Sequence, residues 1–206
     1  MLCSTLIMRT FVALDLEAGI RSRIRAFIAS VEDFAPEARW AREESLHVTL
    51  KFIGERPGIQ AEEIEAALGS VRAEPFQLKF KGAGFFPTPT AARVFWIGIE
   101  AEDGLLALGT LVEEALESLG IEREKRVFHP HLTLARASGA SRQPGRHGGA
   151  QPSRQFRKLE AHLKRHPLPE FGEMRAREFF LYRSQLSRHG SVYTKIARFE
   201  LRQASD

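Results

Sequence analysis

Two copies of one short phrase put the same pair of reactive side chains on two strands. His47-Val48-Thr49-Leu50 lies in the apolar run Leu46 to Ile53, and His131-Leu132-Thr133-Leu134 in Phe128 to Ala135. Side chains of an extended strand alternate faces, so each copy offers an imidazole and a hydroxyl to one surface. Val48, Leu50, Leu132 and Leu134 then point the other way, into a core. The chain has 7 His, and H-x-T would arise by chance roughly 0.3 times, so two copies that both continue into Leu are read as a functional pair. Two imidazoles facing one cleft can divide acid and base work: a neutral one takes a proton from a nucleophile, and an imidazolium gives one to the leaving group. The threonine hydroxyls, one pleat away, can donate hydrogen bonds to phosphoryl oxygens as charge shifts. That chemistry suits transfer at a phosphodiester and requires neither metal nor cofactor.

A metal site is the competing reading of the same residues, because His129-Pro130-His131 puts two imidazoles at i and i+2. Zinc would want a third protein ligand, and neither an H-E-x-x-H nor a cysteine motif supplies one. His129 is instead expected to pack at the strand entry, where Pro130 is tolerated. His147, His162, His166 and His189 fall in loop, turn or weak-helix contexts and read as solvated.

The elements that must hold these strands follow from periodicity. Thr10 to Leu16 reads as a buried strand. Ile20, Ile24, Phe27, Ile28 and Val31 make one helical stripe over Glu17 to Val31. After the first motif strand, closed by Gly54, a helix is predicted over Gln60 to Val71, then a half-buried strand over Pro75 to Lys81 and a loop through Gly82, Gly84, Pro87 and Pro89. Arg93 to Glu100 is a further strand, Leu105 to Leu119 an amphipathic helix ended by Gly120, and the second motif strand follows. The two His-x-Thr strands are offset by 131 − 47 = 84 residues, which suggests a duplicated lobe. Phe156 to Leu163 reads as a short helix, and Glu178 to Leu186 with Ser191 to Leu201 as a β-hairpin. Helices on strands that do not alternate regularly indicate an α+β fold.

Bulk properties bound the rest. The 206 residues fit one bilobal domain, with 1–9 as an N-terminal extension and 137–155, rich in Gly, Ser, Pro and Arg, as a mobile loop. Apolar runs fall short of a membrane span, and the start lacks the pattern of a signal peptide. Cys3 is the only cysteine, which suits a reducing cytoplasm. The net charge of +4 favours an anionic partner without deciding one, and nothing implies a protein partner.

The phrases LHVTLKFIGE and FHPHLTLAR resemble the two signature motifs of the two-histidine (2H) phosphoesterases, specifically the RNA 2',3'-cyclic phosphodiesterases once described as 2'-5' RNA ligases. RTFVALDL, GFFPTPTAARVFWIGI and FFLYRSQLSRHGSVYTKIARFEL resemble that family too, so the likeness spans nearly all of the chain. It implies two pseudo-symmetric lobes of antiparallel sheet with helices on their outer faces, and a central cleft lined by the two H-x-T strands. It further implies that His47 is the proton donor to the departing ribose oxygen and His131 the proton acceptor from water, opening an RNA 2',3'-cyclic phosphate to a 2'-phosphate. Thr49 and Thr133 would hold the non-bridging oxygens, and Arg136, five residues past His131, would add a fixed positive charge for substrate binding. RNA 3' ends or nucleoside 2',3'-cyclic phosphates are the implied partners.

The same residues run backwards, with a 5'-hydroxyl in place of water, would perform 2'-5' ligation. A module that binds a nucleotide or RNA end without turnover, or an enzyme for another small cyclic phosphate, would share the motifs.

Overall fold

The alternating runs pair into two antiparallel sheets, and the helical stripes become the helices that cover them. The structure is a computed structural model and describes residues 7–125, 127–138, 154–187 and 190–202. In chain order the elements are β1 (Ile7–Leu14), α1 (Ala18–Val31), β2 (Arg39–Trp40), β3 (Val48–Pro57), α2 (Ala61–Gly69), β4 (Phe76–Phe86), β5 (Val94–Ala101), α3 (Asp103–Glu117), β6 (His131–Arg136), α4 (Arg157–Leu163), β7 (Gly172–Ala176), β8 (Glu178–Ser187) and β9 (Gly190–Glu200). One sheet has the order β3-β1-β8-β9 and the other β2-β6-β5-β4-β7. Every pairing between neighbours is antiparallel. The fold is α+β, with one motif strand in each sheet.

The helices bury the stripes their spacing predicts: Ile20, Ile24, Phe27, Ile28 and Val31 on α1, and Leu105, Leu108, Val112 and Leu116 on α3. Each such side chain removed from water contributes roughly 1.5–3 kcal/mol before entropy is counted. Phe27 of α1 packs edge-on against Phe171, with ring centroids 5.1 Å apart, and lies 6.4 Å from Phe95 of β5. The helix that follows β1 is therefore committed to the opposite sheet. Val12 and Leu14 of the first sheet and Phe95 and Ile97 of the second belong to one continuous core. One core therefore draws on both sheets.

A buried ion pair links β3 to α3. Lys51 of β3, 6 % exposed, donates to Glu113 Oε2 of α3 at 2.6 Å and to the Glu122 carbonyl at 2.6 Å. The backbone N–H of Glu124 donates to the same Glu113 carboxylate. This link ties β3, the strand that His47 immediately precedes, to the segment that leads toward His131.

Several boundaries differ from the sequence expectation. β3 continues past Gly54 to Pro57, and β4 continues through Gly82 to Phe86. Gly54 and Gly82 both adopt positive φ beside register irregularities, so each glycine bends its strand without ending it. The short strands β2 and β7 had no recognisable pattern; each lies at an edge, where pairing with one long neighbour suffices. β1 starts at Ile7, inside the stretch read as an extension, with Ile7, Met8 and Arg9 paired to Pro57, Arg56 and Glu55. Regular strand structure at the second motif begins only at His131, after Pro130. Residues 1–6 and most of the expected loop, 139–153, lie outside the described residues, as do His147 and His189.

Candidate active site

His47 stands immediately before β3, where a one-turn 3-10 segment (Glu43–Ser45) delivers the chain to the strand. Its Nδ1 lies 2.7 Å from the Ser45 carbonyl oxygen. A carbonyl only accepts, so Nδ1 carries the hydrogen and Nε2 is the nitrogen left for chemistry. Arg21 of α1 holds the turn, donating to the Glu43 carbonyl at 2.5 Å and the Leu46 carbonyl at 3.3 Å while pairing with Asp15. Asp15 also pairs with Lys195 of β9. Three rings enclose the imidazole: Phe11 of β1 at 4.8 Å, Tyr193 of β9 edge-on at 5.0 Å and Tyr182 of β8 at 6.1 Å between centroids. Asp15, Arg21, Glu43, Glu44, Tyr182, Tyr193 and Lys195 line an open pocket of about 490 Å³ beside this group.

The second site repeats the first. His131 Nδ1 lies 2.7 Å from the His129 carbonyl oxygen, so the same tautomer is set by a carbonyl two residues upstream. Phe86 of β4 meets the ring edge-on at 5.0 Å, and Trp96 of β5 at 6.4 Å. The indole lies against the backbone of Gly84, the residue paired with Trp96, where a Cβ would overlap it. Aromatic side chains thus wall both imidazoles.

A matched irregularity decides what else faces the cleft. In β3 the pairs Ala13–Thr49 and Val12–Lys51 leave Leu50 as an extra residue; in β6 the pairs Trp96–Thr133 and Phe95–Ala135 leave Leu134 extra. These bulges are themselves 134 − 50 = 84 residues apart, the offset of the histidines. A regular pleat would turn Lys51 and Ala135 to the cleft. The bulges send them inward, at 6 % and 1 % exposure, and bring Phe52, 61 % exposed, to the cleft face opposite Phe11. Arg136 comes to the equivalent place, opposite Val94. Thr49 and Thr133, before the bulges, stay half-buried on the histidine face.

Electrostatics are unlike those of ordinary surface histidines. Burial drives His47 down to about 4, opposed by the Ser45 carbonyl and reinforced by the Arg136 guanidinium. Burial also lowers His131, again opposed by its carbonyl partner and reinforced by Arg136. Arg136 therefore lies near enough to act on both imidazoles. Burial raises the Asp15 carboxyl, but the Lys195 hydrogen bond, the Leu16 N–H and Arg21 outweigh it and hold Asp15 below its usual range. Burial pushes the Tyr182 hydroxyl up, so it stays protonated.

The structure puts Thr49, with His47 just before it, on the first sheet and His131, Thr133 and Arg136 on the second, and the two motif strands approach each other. The side chain of His129 is exposed rather than packed, and it is the backbone of His129 that serves His131. His162 is not simply solvated: it stacks between Phe34 at 4.0 Å and His166 at 4.3 Å. Sequence reasoning missed Phe52, Asp15 and Arg21. A charged residue within the apolar run Phe11 to Leu16 was the available signal for Asp15. Among the described residues no three His, Cys, Asp or Glu side chains gather as a metal-binding group, and no helix is long and apolar enough to cross a membrane.

The LigT-like phosphoesterase family model matches residues 14–96. An RNA 2',3'-cyclic phosphodiesterase of Archaeoglobus fulgidus is 32% identical over 94% of this chain and 100% of its own length. One of Aeropyrum pernix is 35% identical over 79% of this chain and 85% of its own. The crystal structure of E. coli LigT complexed with 3'-AMP superposes with a TM-score of 0.73 at 29% identity, covering 96% of this chain and 100% of that one. The chain belongs to the LigT-like family of RNA 2',3'-cyclic phosphodiesterases within the two-histidine phosphoesterases.

Proposed function

We propose that this protein hydrolyses RNA 2',3'-cyclic phosphate ends, or nucleoside 2',3'-cyclic phosphates, to 2'-phosphomonoesters by paired-histidine acid–base catalysis. The observation that carries the reading is the matched pair of imidazoles, each with Nδ1–H bound to a carbonyl at 2.7 Å and so keeping Nε2 for proton transfer, with Arg136 near enough to act on both. His131 Nε2 accepts a proton from water as the water oxygen bonds to phosphorus. His47, protonated on Nε2, gives its proton to the ribose 3'-oxygen as the P–O3' bond breaks, leaving the phosphate on O2'. Hydroxyls of Thr49 and Thr133 donate to the non-bridging oxygens, and Arg136 supplies fixed positive charge where negative charge accumulates.

The acid needs a proton that the free site disfavours. An imidazole lowered to about 4 is neutral near pH 7. A phosphodiester anion seated at Arg136 offsets the guanidinium and adds negative charge beside the ring, and both changes raise its pKa. Substrate thus helps to arm its own acid. Phe52 offers an exposed aromatic face on the same surface, suited to stacking the terminal base.

The deciding experiment is hydrolysis of a nucleoside 2',3'-cyclic phosphate in EDTA over a pH series, with the product's phosphate position read by phosphorus NMR, for wild type, His47→Ala and His131→Ala. A bell-shaped wild-type profile, a 2'-phosphate and two folded variants whose kcat falls by on the order of 10²–10⁴ are expected. Activity lost on chelation, or full activity in either variant, would overturn the mechanism. Tight binding of the cyclic nucleotide with no product would leave a binding module instead.

A further inference from the structure

On the cleft face of the second sheet two arginines stand directly opposite each other in register. β2 pairs Arg39 with Arg136 and Trp40 with Ala135. Trp40 faces the core: its ring lies 5.9 Å from Phe95, and its Nε1–H donates to the Ala35 carbonyl at 3.1 Å. The pleat therefore turns Arg39 to the other face, beside Arg136. The position is well held, because Ala41 N–H donates to the Leu134 carbonyl at 2.7 Å and the Ser138 hydroxyl donates to the Glu37 carbonyl on either side of the pair.

Like charges directly across an antiparallel pair, with Cα atoms about 4.5–5.5 Å apart, repel and are ordinarily avoided. Among the described residues no carboxylate pairs with Arg39, and its side chain is exposed. β2 is the edge of its sheet, so Arg39 sits one strand over from Arg136. A polyanion with phosphates at successive positions matches this arrangement, whereas a single anion needs only one of the two.

We propose that Arg39 is a second phosphate subsite, gripping the phosphodiester that joins the terminal nucleotide to the one before it while Arg136 faces the cyclic phosphate. This rests on the hydrolase reading above and extends it from a mononucleotide to a polymer end. A nucleoside 2',3'-cyclic phosphate lacks that internal phosphodiester; a dinucleotide ending in a 2',3'-cyclic phosphate has it. The subsite discriminates between them through one charge-assisted contact.

The test compares kcat/KM on those two substrates for wild type, Arg39→Ala and Arg39→Lys, with thermal melts to show that all are folded. Arg39→Ala is expected to lower kcat/KM for the dinucleotide about tenfold more than for the mononucleotide, with Arg39→Lys recovering part of the loss. The dinucleotide's salt dependence should become shallower by about one charge. A dinucleotide whose internal linkage is an uncharged methylphosphonate should lose the wild-type preference and show no such differential on Arg39→Ala. Equal losses on both substrates, or an undiminished preference in Arg39→Ala, would overturn the subsite. A wild-type protein inert toward every substrate would overturn the hydrolase reading itself, and the subsite with it.

Discussion

Phe52 and Arg136 occupy equivalent places in the two lobes, each brought to the cleft by a one-residue bulge three positions after a motif histidine. One lobe thus contributes an aromatic face where the other contributes a guanidinium. The repeat is symmetric in its histidines and asymmetric in what it can bind, as a nucleotide with a base on one side and a phosphate on the other requires.

Phe52→Ala should therefore weaken ground-state binding more than chemistry. Loss of a base-stacking face costs about 1–3 kcal/mol, so KM for a cyclic mononucleotide is expected to rise roughly tenfold with kcat changed much less. Steady-state kinetics decide this, and a fall in kcat at constant KM would remove Phe52 from base binding.

Removing either imidazole should abolish one limb of the pH profile. With one proton transfer lost, kcat for His47→Ala and for His131→Ala should drop by on the order of 10²–10⁴, the former losing the limb of the acid and the latter that of the base. Stopped-time assays from pH 4 to 9 measure both.

His47 also makes stability depend on pH. Its folded pKa, about 4, lies below the ordinary 6.5, so between those values the unfolded chain binds more protons than the folded one. Its contribution is full above pH 6.5 and is lost as pH falls toward 4. Urea denaturation at pH 7.5 and pH 5 should show a smaller pH difference for His47→Ala than for wild type. A ring titration by NMR should find the His47 pKa raised when a nucleoside 2'-monophosphate is bound.

The Lys51–Glu113 pair predicts a contrast between single and double substitution. Lys51→Ala strands a partly buried carboxylate, and breaking such a pair costs about 3–5 kcal/mol. Lys51→Met with Glu113→Leu removes both charges and should recover most of that loss. Denaturant midpoints compare the three.

Much of this protein was legible in one dimension. The His-x-Thr repeat, the period-two strands around it and the stripe on α1 are local patterns, because a pleat and a helical turn are set by neighbouring residues. They were sufficient for the α+β class and for His47, Thr49, His131 and Thr133 as a candidate set. Arg136 was reached through family resemblance; by alternation alone it should have pointed into the core. Its actual direction depends on the bulge at Leu134, which exists only because β6 is held in register against β5. The same holds for Phe52 at Leu50 against β1. The rings around His47 come from β1, β8 and β9, and the turn before it is clamped by Arg21 of α1. Such contacts join residues far apart in sequence through sheet order and packing, and no short-range pattern encodes either. The chain thus specified its reactive groups locally, and the pairing of distant strands decided which way they face and what surrounds them.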